Sequence, residues 1–395
     1  MVEGLQRRLG FGLLTAYGIG VMVGAGIYVL IGAVAGLAGS LAPVAFLLAG
    51  LVALPTALSF AELSSRIPEA GGAAAYLGHA FDSPWPGRIT GLAIVLAGTI
   101  SAAAVLRGGV GYLETLLPVP PALAITLLAL ALTAVAVLGV AESVKLAAVL
   151  TVIEIGGLAL VISAGFIAPA VPVSLPSPDI MSAVWVVLAA TALAFFAFIG
   201  FEDMVNLAEE TRAPTKTMPR ALITALVVVA GLYALVAFAA VRAVPAELLA
   251  ASAQPLALVW AAGFGAGASV LAAIAVAAAL NGVLAQIVMA ARVLYGLGAQ
   301  TPGMHMFRRV HARFGTPHIG TVLVGLAVAL GAISLPVAEL AQASSTVLLI
   351  VFIVVNIGLI RLKRRAPDAP FRVPDYVPVV GAVLSGVALL ASLGV

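Results

Sequence analysis

The chain predicts an all-α polytopic membrane protein, and three observations carry that prediction. Its 395 residues are 63% hydrophobic and only 9% charged, whereas a soluble domain carries about 25% charged residues. Mean hydropathy is +1.22, so the chain lacks the polar surface that a water-facing core needs. Apolar runs of about twenty residues recur from end to end, each long enough as a helix to cross a ~30 Å hydrocarbon layer. The alternating ten-residue pattern of a transmembrane β-barrel is absent.

Eleven apolar segments follow in order: about 11–37, 41–65, 88–116, 121–140, 143–166, 181–208, 219–243, 256–297, 318–335, 338–360 and 377–394. The first has no signal-like basic region before it and no A-x-A cleavage pattern, so it is kept as a span. Between the spans, Arg7 and Arg8, Arg66 and Arg88, Lys145, Arg212, Lys216 and Arg220, Arg308, Arg309 and Arg313, and the 361–372 basic cluster all fall on one side. The other side has Arg242 and little else, and the proline-rich 167–180 connection has no Lys or Arg. The positive-inside rule then places the N-terminus and the basic loops in the cytoplasm, in a multi-pass protein of the plasma membrane. Eleven spans would leave the C-terminus outside.

Zero cysteines exclude disulfides, iron–sulfur centres and thiolate metal sites. The four histidines, His79, His305, His311 and His318, all lie between spans without metal-ligand spacing. No metal and no cofactor are therefore expected, and no nucleophile–base pair marks an enzyme. The basic 300–317 loop reads as a cytoplasmic loop obeying charge bias. It has no aromatic platform for nucleotides, so no nucleic-acid partner is expected. Channels line their pores with repeated polar rings, and nothing repeats that way here.

Two spans are unusual. The first contains GIGVMVGAGIYVLIG (18–32), five glycines in fifteen positions, although each interior glycine costs a helix about 0.5–1 kcal/mol relative to alanine. The sixth reads LAFFAFIGFEDMVNLAEE (193–210), with Glu202 and Asp203 entering before the apolar character has ended. Intramembrane carboxylates face a cavity, a partner or a proton path. Interrupted spans at matching positions of two halves point to inverted repeats around a midplane site, here about 11–166 and 181–360, followed by an extra span at about 377–394. The whole chain, 1–395, reads as a single transporter domain.

A helix broken inside the bilayer exposes N–H and C=O groups, tolerable only where they meet a ligand or water. The N-terminal end of the second half-helix suits a carboxylate, and the free carbonyls of span six suit an ammonium group. A zwitterion such as an amino acid fits both. Two blander roles for the glycines compete with this one. A dinucleotide loop would need a preceding strand and an acid ~20 positions later, but the run is apolar and the next acid is Glu62. Close helix packing accounts for Gly32 and Gly36, whereas Gly24 and Gly26 are read as the binding break.

Four stretches resemble the amino acid–polyamine–organocation transporter family, in that family's order: GVMVGAGIYVLIG (20–32), LSFAELSSRIPEAGGAAAYL (58–77), FFAFIGFEDMVNLAEETRAPTKTMPRAL (195–222) and ARVLYGLGAQTPGMHMFRRVHARFGTP (291–317). Tyr28 stands where the family commonly has Phe. The resemblance covers almost the whole chain and implies a LeuT-like 5+5 inverted repeat with discontinuous spans 1 and 6, about 11 transmembrane helices, working by alternating access. It implies that Met22, Gly24, Ala25, Gly26 and Ile27 meet the substrate carboxylate. Phe196, Phe198 and Ile199 would offer carbonyls to the amine, with Phe196 as an aromatic gate. Glu202 matches the family's acid after Gly-Phe. On that match Glu202 is expected among the substrate-binding residues, and Asp203, which lies outside the pattern, is expected in coupling or charge handling, since of two adjacent helical residues at most one faces the substrate.

Departures from the family matter for coupling. Where many proton-coupled relatives carry Thr-x-x-Lys in span five, this chain has Thr151-Val-Ile-Glu154. Glu154 is expected to carry a proton, to bind a cationic group, or to pair with Arg107 of span three, because an apolar surrounding disfavours an uncompensated charge. Between Ala272 and Ala291 there is no Ser or Thr to ligate sodium, and Asn281 and Gln286 are the polar exceptions. Glu154, Glu202 and Asp203 tilt the substrate toward added positive charge. Glu62 reads as a gate or capping residue. Many relatives have twelve spans or more, which leaves any dimer contact by final spans open; the oligomeric state is not legible. The expectation is a secondary carrier for amino acids or related amines, proton-coupled or exchanging, in contact with membrane lipid. A polyamine permease or a non-transporting sensor of the same fold is the alternative.

Overall fold

Every named element is a helix, as a chain with so few turn-forming polar stretches must be if it is to satisfy its backbone inside a bilayer. The structure is a computed structural model and describes residues 9–69, 71–138, 144–172, 180–301 and 303–393. α1 (Phe11–Ala38), α2 (Ala42–Arg66), the short α3 (Gly72–Phe81), α4 (Pro84–Leu113), α5 (Pro121–Leu138) and α6 (Val144–Ile167) form the first part. α7 (Ile180–Ala194) continues through 3₁₀ segments Phe195–Phe198 and Phe201–Glu210. α8 (Pro214–Ala243), the small α9 (Ala246–Ala251) and α10 (Pro255–Phe264), α11 (Ala268–Gln300), α12 (His318–Ser334), α13 (Val337–Arg365) and α14 (Tyr376–Leu393) complete it.

Nine helical stretches among the described residues are long and apolar enough to cross a membrane, the Gly26–Arg66 stretch running through the second half of α1 into α2. Separating α1 from α2 and adding α12 gives the eleven spans expected from the sequence. One expected boundary is corrected. The 256–297 segment is two helices, because Gly265 (φ 77°) and Gly267 (φ 89°) adopt left-handed conformations between α10 and α11. Side chains other than glycine enter that region at a steric cost. The indole of Trp260 holds the corner by donating to the Ala266 carbonyl at 3.2 Å.

The outward faces are apolar, with Leu51, Val152, Leu330 and Leu390 all more than half exposed. A patch of that extent on many helices is a hydrocarbon-facing surface. Inside, small residues let helices approach closely. A Cβ on Gly50 of α2 would lie 2.9 Å from Ala230 of α8, and α4 packs along α11 with Gly109 against Ala279. Between them sits a buried aromatic cluster, in which the Phe60 ring contacts Tyr76, Phe201 and Phe352 edge-on at 5.8–6.4 Å.

Two tethers organise the side that carries the basic loops. The Leu9 N–H donates to the Glu210 carbonyl at 3.0 Å and the Arg212 N–H donates to the Leu9 carbonyl at 2.8 Å. The entry to α1 is thereby joined to the exit of span six. The second tether centres on Glu62, fully buried at the end of α2. Its carboxylate accepts from Arg66 (2.6 Å), from Lys363 of α13 (3.0 Å) and from the Val373 N–H (2.8 Å). The 366–375 connection is thus fastened against α2 and α13, and Glu62 is a tie between three segments.

Candidate functional site

The interruptions expected in spans one and six are present and face one another. α1 loses helical geometry at Gly24 (φ 0°, ψ −159°). Span six breaks at Ile199 (ψ 134°) and Gly200 (φ 117°), then resumes as a ten-residue 3₁₀ helix. Runs of that type beyond about four residues are uncommon and mark hinges or strain. A Cβ on Gly26 would lie 3.3 Å from the Ala197 Cα, and one on Gly200 would lie 2.6 Å from Val21. The two interruptions therefore touch through glycine. In general the N–H groups that open a half-helix lack a carbonyl one turn back and carry its positive dipole end, and the half-helix after the Gly24 interruption presents that end here.

A cavity opens at this junction. α1 contributes Tyr17, Gly20, Val21, Met22, Gly24 and Gly26, and span six contributes Phe196, Ile199 and Asp203. Ser101 and Val105 of α4, Thr151 of α6, and Asn281, Gly282, Ala285, Gln286 and Met289 of α11 close it. The cavity holds about 60 Å³, less than the ~300–1,000 Å³ of open small-molecule sites.

The expected site residues divide. Met22, Gly24, Gly26, Phe196, Ile199 and Asp203 border the cavity. The side chain of Ala25 lies outside the described residues. Ile27 and Phe198 are fully buried in the core, Phe198 with its ring 5.2 Å from that of Tyr233. Glu202 turns back on its own break, its Oε2 accepting from the Gly200 N–H at 3.0 Å, and borders a smaller adjoining cavity with Ile94, Gly98 and Leu348. Of the adjacent acids it is Asp203 that borders both cavities, with its Oδ2 accepting from Gln286 at 3.4 Å.

The coupling residues also move from their expected places. Glu154 is buried but does not border the cavity; Thr151, one turn earlier, does. The pairing of Arg107 with Glu154 is corrected. Arg107 donates to the Ala332 and Ile333 carbonyls at 2.6 and 3.2 Å, closing the C-terminal end of α12, whose last carbonyls need donors. None of the ion pairs among the described residues contains Arg107.

Three tyrosines, of which only Tyr28 lies in a motif, carry contacts at or near the breaks. The Tyr233 hydroxyl of α8 lies 2.6 Å from the Met22 carbonyl and 3.0 Å from the Ala197 carbonyl, donating to backbone groups beside both breaks. Tyr28 donates to the Glu154 carbonyl at 3.1 Å, and Tyr112 donates to the Tyr28 carbonyl at 2.7 Å. The hydroxyl at position 28 was the available signal, since a buried phenol must find an acceptor. Among the described residues no group of three His, Cys, Asp or Glu is placed to hold a metal.

A helical membrane protein with two spans broken around a buried polar hollow has the architecture of a membrane transporter. The chain belongs to the amino acid permease family, whose model matches residues 9–394. It is 30% identical over 388 residues to the branched-chain amino acid permease BcaP of Bacillus subtilis, covering 89% of this chain and 80% of that protein. Its identity to the methylthioribose transporter of the same bacterium is 30% over 382 residues, with 89% and 80% covered. The mitochondrial cationic amino acid transporter 3 of Arabidopsis thaliana is 29% identical over 362 residues, covering 85% of this chain and 58% of that longer protein. These relatives are transporters, and the chain is an integral membrane permease, not an enzyme.

Proposed function

We propose that the protein is a secondary active transporter that moves amino acids or related amines across the cytoplasmic membrane by alternating access. The observation that carries this is the contact between the Gly24–Gly26 break and the Ala197–Gly200 break over one cavity. A substrate carboxylate sits at the N–H groups that follow Gly24, and the ammonium group sits toward the backbone of Phe196 and Ile199. Two of the relatives above are amino acid carriers by name, which supports the substrate class.

The two halves, about 11–166 and 181–360, act as repeats that rock about this centre. The basic residues on one side put the N-terminus in the cytoplasm. Protons or substrate exchange drive the cycle, since α11 brings Asn281 and Gln286 to the cavity but no hydroxyl. A thermal-stability screen of the purified protein against amino acids, amines and polyamines, followed by uptake into proteoliposomes, tests the proposal. A ligand stabilises by RT ln(1 + [L]/Kd), so even weak binders register at millimolar concentration. Stabilisation with accompanying flux supports transport. Stabilisation without flux would make the protein a sensor, and the absence of both would refute the site.

A further inference from the structure

We propose that Asp203 is the specificity-determining carboxylate of the cavity and receives a second cationic group at the far end of the substrate side chain. This rests on the transport reading above and names the substrate class as amino acids carrying an extra positive charge. Asp203 and Glu202 are 7% and 8% exposed. One amide of Gln286 and one backbone N–H of Gly200 are the hydrogen bonds their carboxylates accept from neighbouring residues. No ion pair among the described residues includes either acid, and no Lys, Arg or His borders either cavity. Two neighbouring buried carboxyls without a protein cation are accommodated either by a bound proton or by a positive partner from outside, and the second is the role assigned to the substrate here.

The geometry gives that partner a place. Ile199, Asp203, Gln286 and Met289 border both cavities, so Asp203 stands on the wall they share, facing the space beside the helix breaks. Beyond it stand Glu202 and the apolar wall of Ile94 and Leu348. The 3₁₀ form of Phe201–Glu210 fixes the direction of Asp203, because residues three apart eclipse in that helix. Asn206 shares the face with Asp203, and both reach α11, at Met289 (3.5 Å) and Gln286 (3.4 Å). Gly98 makes room for the orienting amide, since a Cβ there would lie 2.8 Å from Gln286 Oε1. An uncharged side chain would leave Asp203 unpaired and an anionic one would be repelled, which is discrimination by penalty.

Arginine and citrulline have nearly the same shape but differ in charge, and their uptake into proteoliposomes of the full chain tests the assignment. The wild type is expected to favour arginine by about tenfold or more. Asp203→Asn should collapse that ratio by reducing arginine uptake far more than citrulline uptake, while Asp203→Glu should retain most of it. A wild type that takes up citrulline as well as arginine would overturn the assignment whether or not the variants fold. So would an Asp203→Asn protein with an unchanged ratio and a lost pH dependence, which would make Asp203 a proton carrier. Failure of the wild type to move any amino acid would instead refute the transport reading itself.

Discussion

The Tyr233 hydroxyl of α8 lies 2.6 Å from the Met22 carbonyl oxygen, at the point where α1 prepares to break. The same hydroxyl lies 3.0 Å from the Ala197 carbonyl just before the break in span six. Tyr233 is fully buried, with its ring against Phe46 and Phe198. One phenol on a continuous helix thus ties together two discontinuous ones. Under the proposed function, its role is to position the backbone that grips the solute.

Tyr233→Phe keeps the ring packing and removes only the donor, leaving two buried carbonyls without it. Loss of such a bond costs about 1–3 kcal/mol where the acceptor stays buried. Thermal unfolding in detergent should show a lower midpoint, and substrate-induced stabilisation should shrink further because the breaks are less well held. An unchanged ligand response with a lowered midpoint would reduce Tyr233 to a packing residue.

Gly26→Val should abolish uptake while the protein still inserts in the membrane. A Cβ at that position already sits 3.3 Å from the Ala197 Cα and 3.6 Å from its Cβ, and two further methyls enter the cavity. Gly24→Ala has open space around its Cβ but meets a backbone (φ 0°, ψ −159°) outside the regions allowed to alanine, so any loss there comes from the backbone and not from filling the cavity. Equal uptake by the wild type and Gly26→Val would remove the carboxylate site from α1.

Glu154→Gln should alter the pH dependence of uptake without changing which substrates are preferred. The residue lies in α6 behind Tyr28, and its side chain does not border the cavity. Uptake measured across a range of pH and against a substrate panel separates the two effects. A changed substrate preference with an unchanged pH profile would bring Glu154 into the binding site.

Glu62→Gln removes the buried charge that faces Arg66 and Lys363, both of which are nearly buried themselves. Breaking a buried pair by removing one partner destabilises by about 3–5 kcal/mol. The unfolding midpoint should fall accordingly, and the 366–375 connection should become open to protease. A variant as stable and as resistant as the wild type would show that the tether contributes nothing.

Asp375, at the exposed edge of that tether, is held below the usual carboxylate range by hydrogen bonds from Lys363 and then Arg372. Its folded value is depressed, so the stabilisation is present above the ordinary value of 3.8 and is lost as pH falls through the lower folded one. Asp375→Asn should therefore be slightly less stable than the wild type near neutrality and indistinguishable from it in strong acid. Because the side chain is solvent-exposed, added salt should shrink the difference.

Much of the fold was legible because hydrocarbon imposes long apolar runs, and glycine and carboxylates inside such runs stand out. The two breaks were found at Gly24 and Gly200 for that reason. The corner at Gly265 and Gly267 was harder to read, since those residues join two apolar helices without any polar break between α10 and α11. The lining of the cavity was legible in part. Met22, Gly26, Phe196 and Ile199 come from motif positions, but the sequence put Glu202 at the substrate and Asp203 at coupling, whereas the 3₁₀ turn sends Glu202 back to Gly200 and Asp203 to Gln286 at the cavity wall. The partner of Arg107 was invisible, because the carbonyls it meets at Ala332 and Ile333 lie 225 and 226 residues away and carry no side-chain signal.

The most direct test of the broken-helix site is an experimental structure of the full chain with a saturating amino acid bound, at a resolution that orients the ligand. The expected result is a carboxylate within hydrogen-bond distance of the N–H groups after Gly24 and an ammonium beside the backbone of Phe196 and Ile199. A ligand bound elsewhere, or α1 and span six continuous through Gly24 and Gly200, would contradict it.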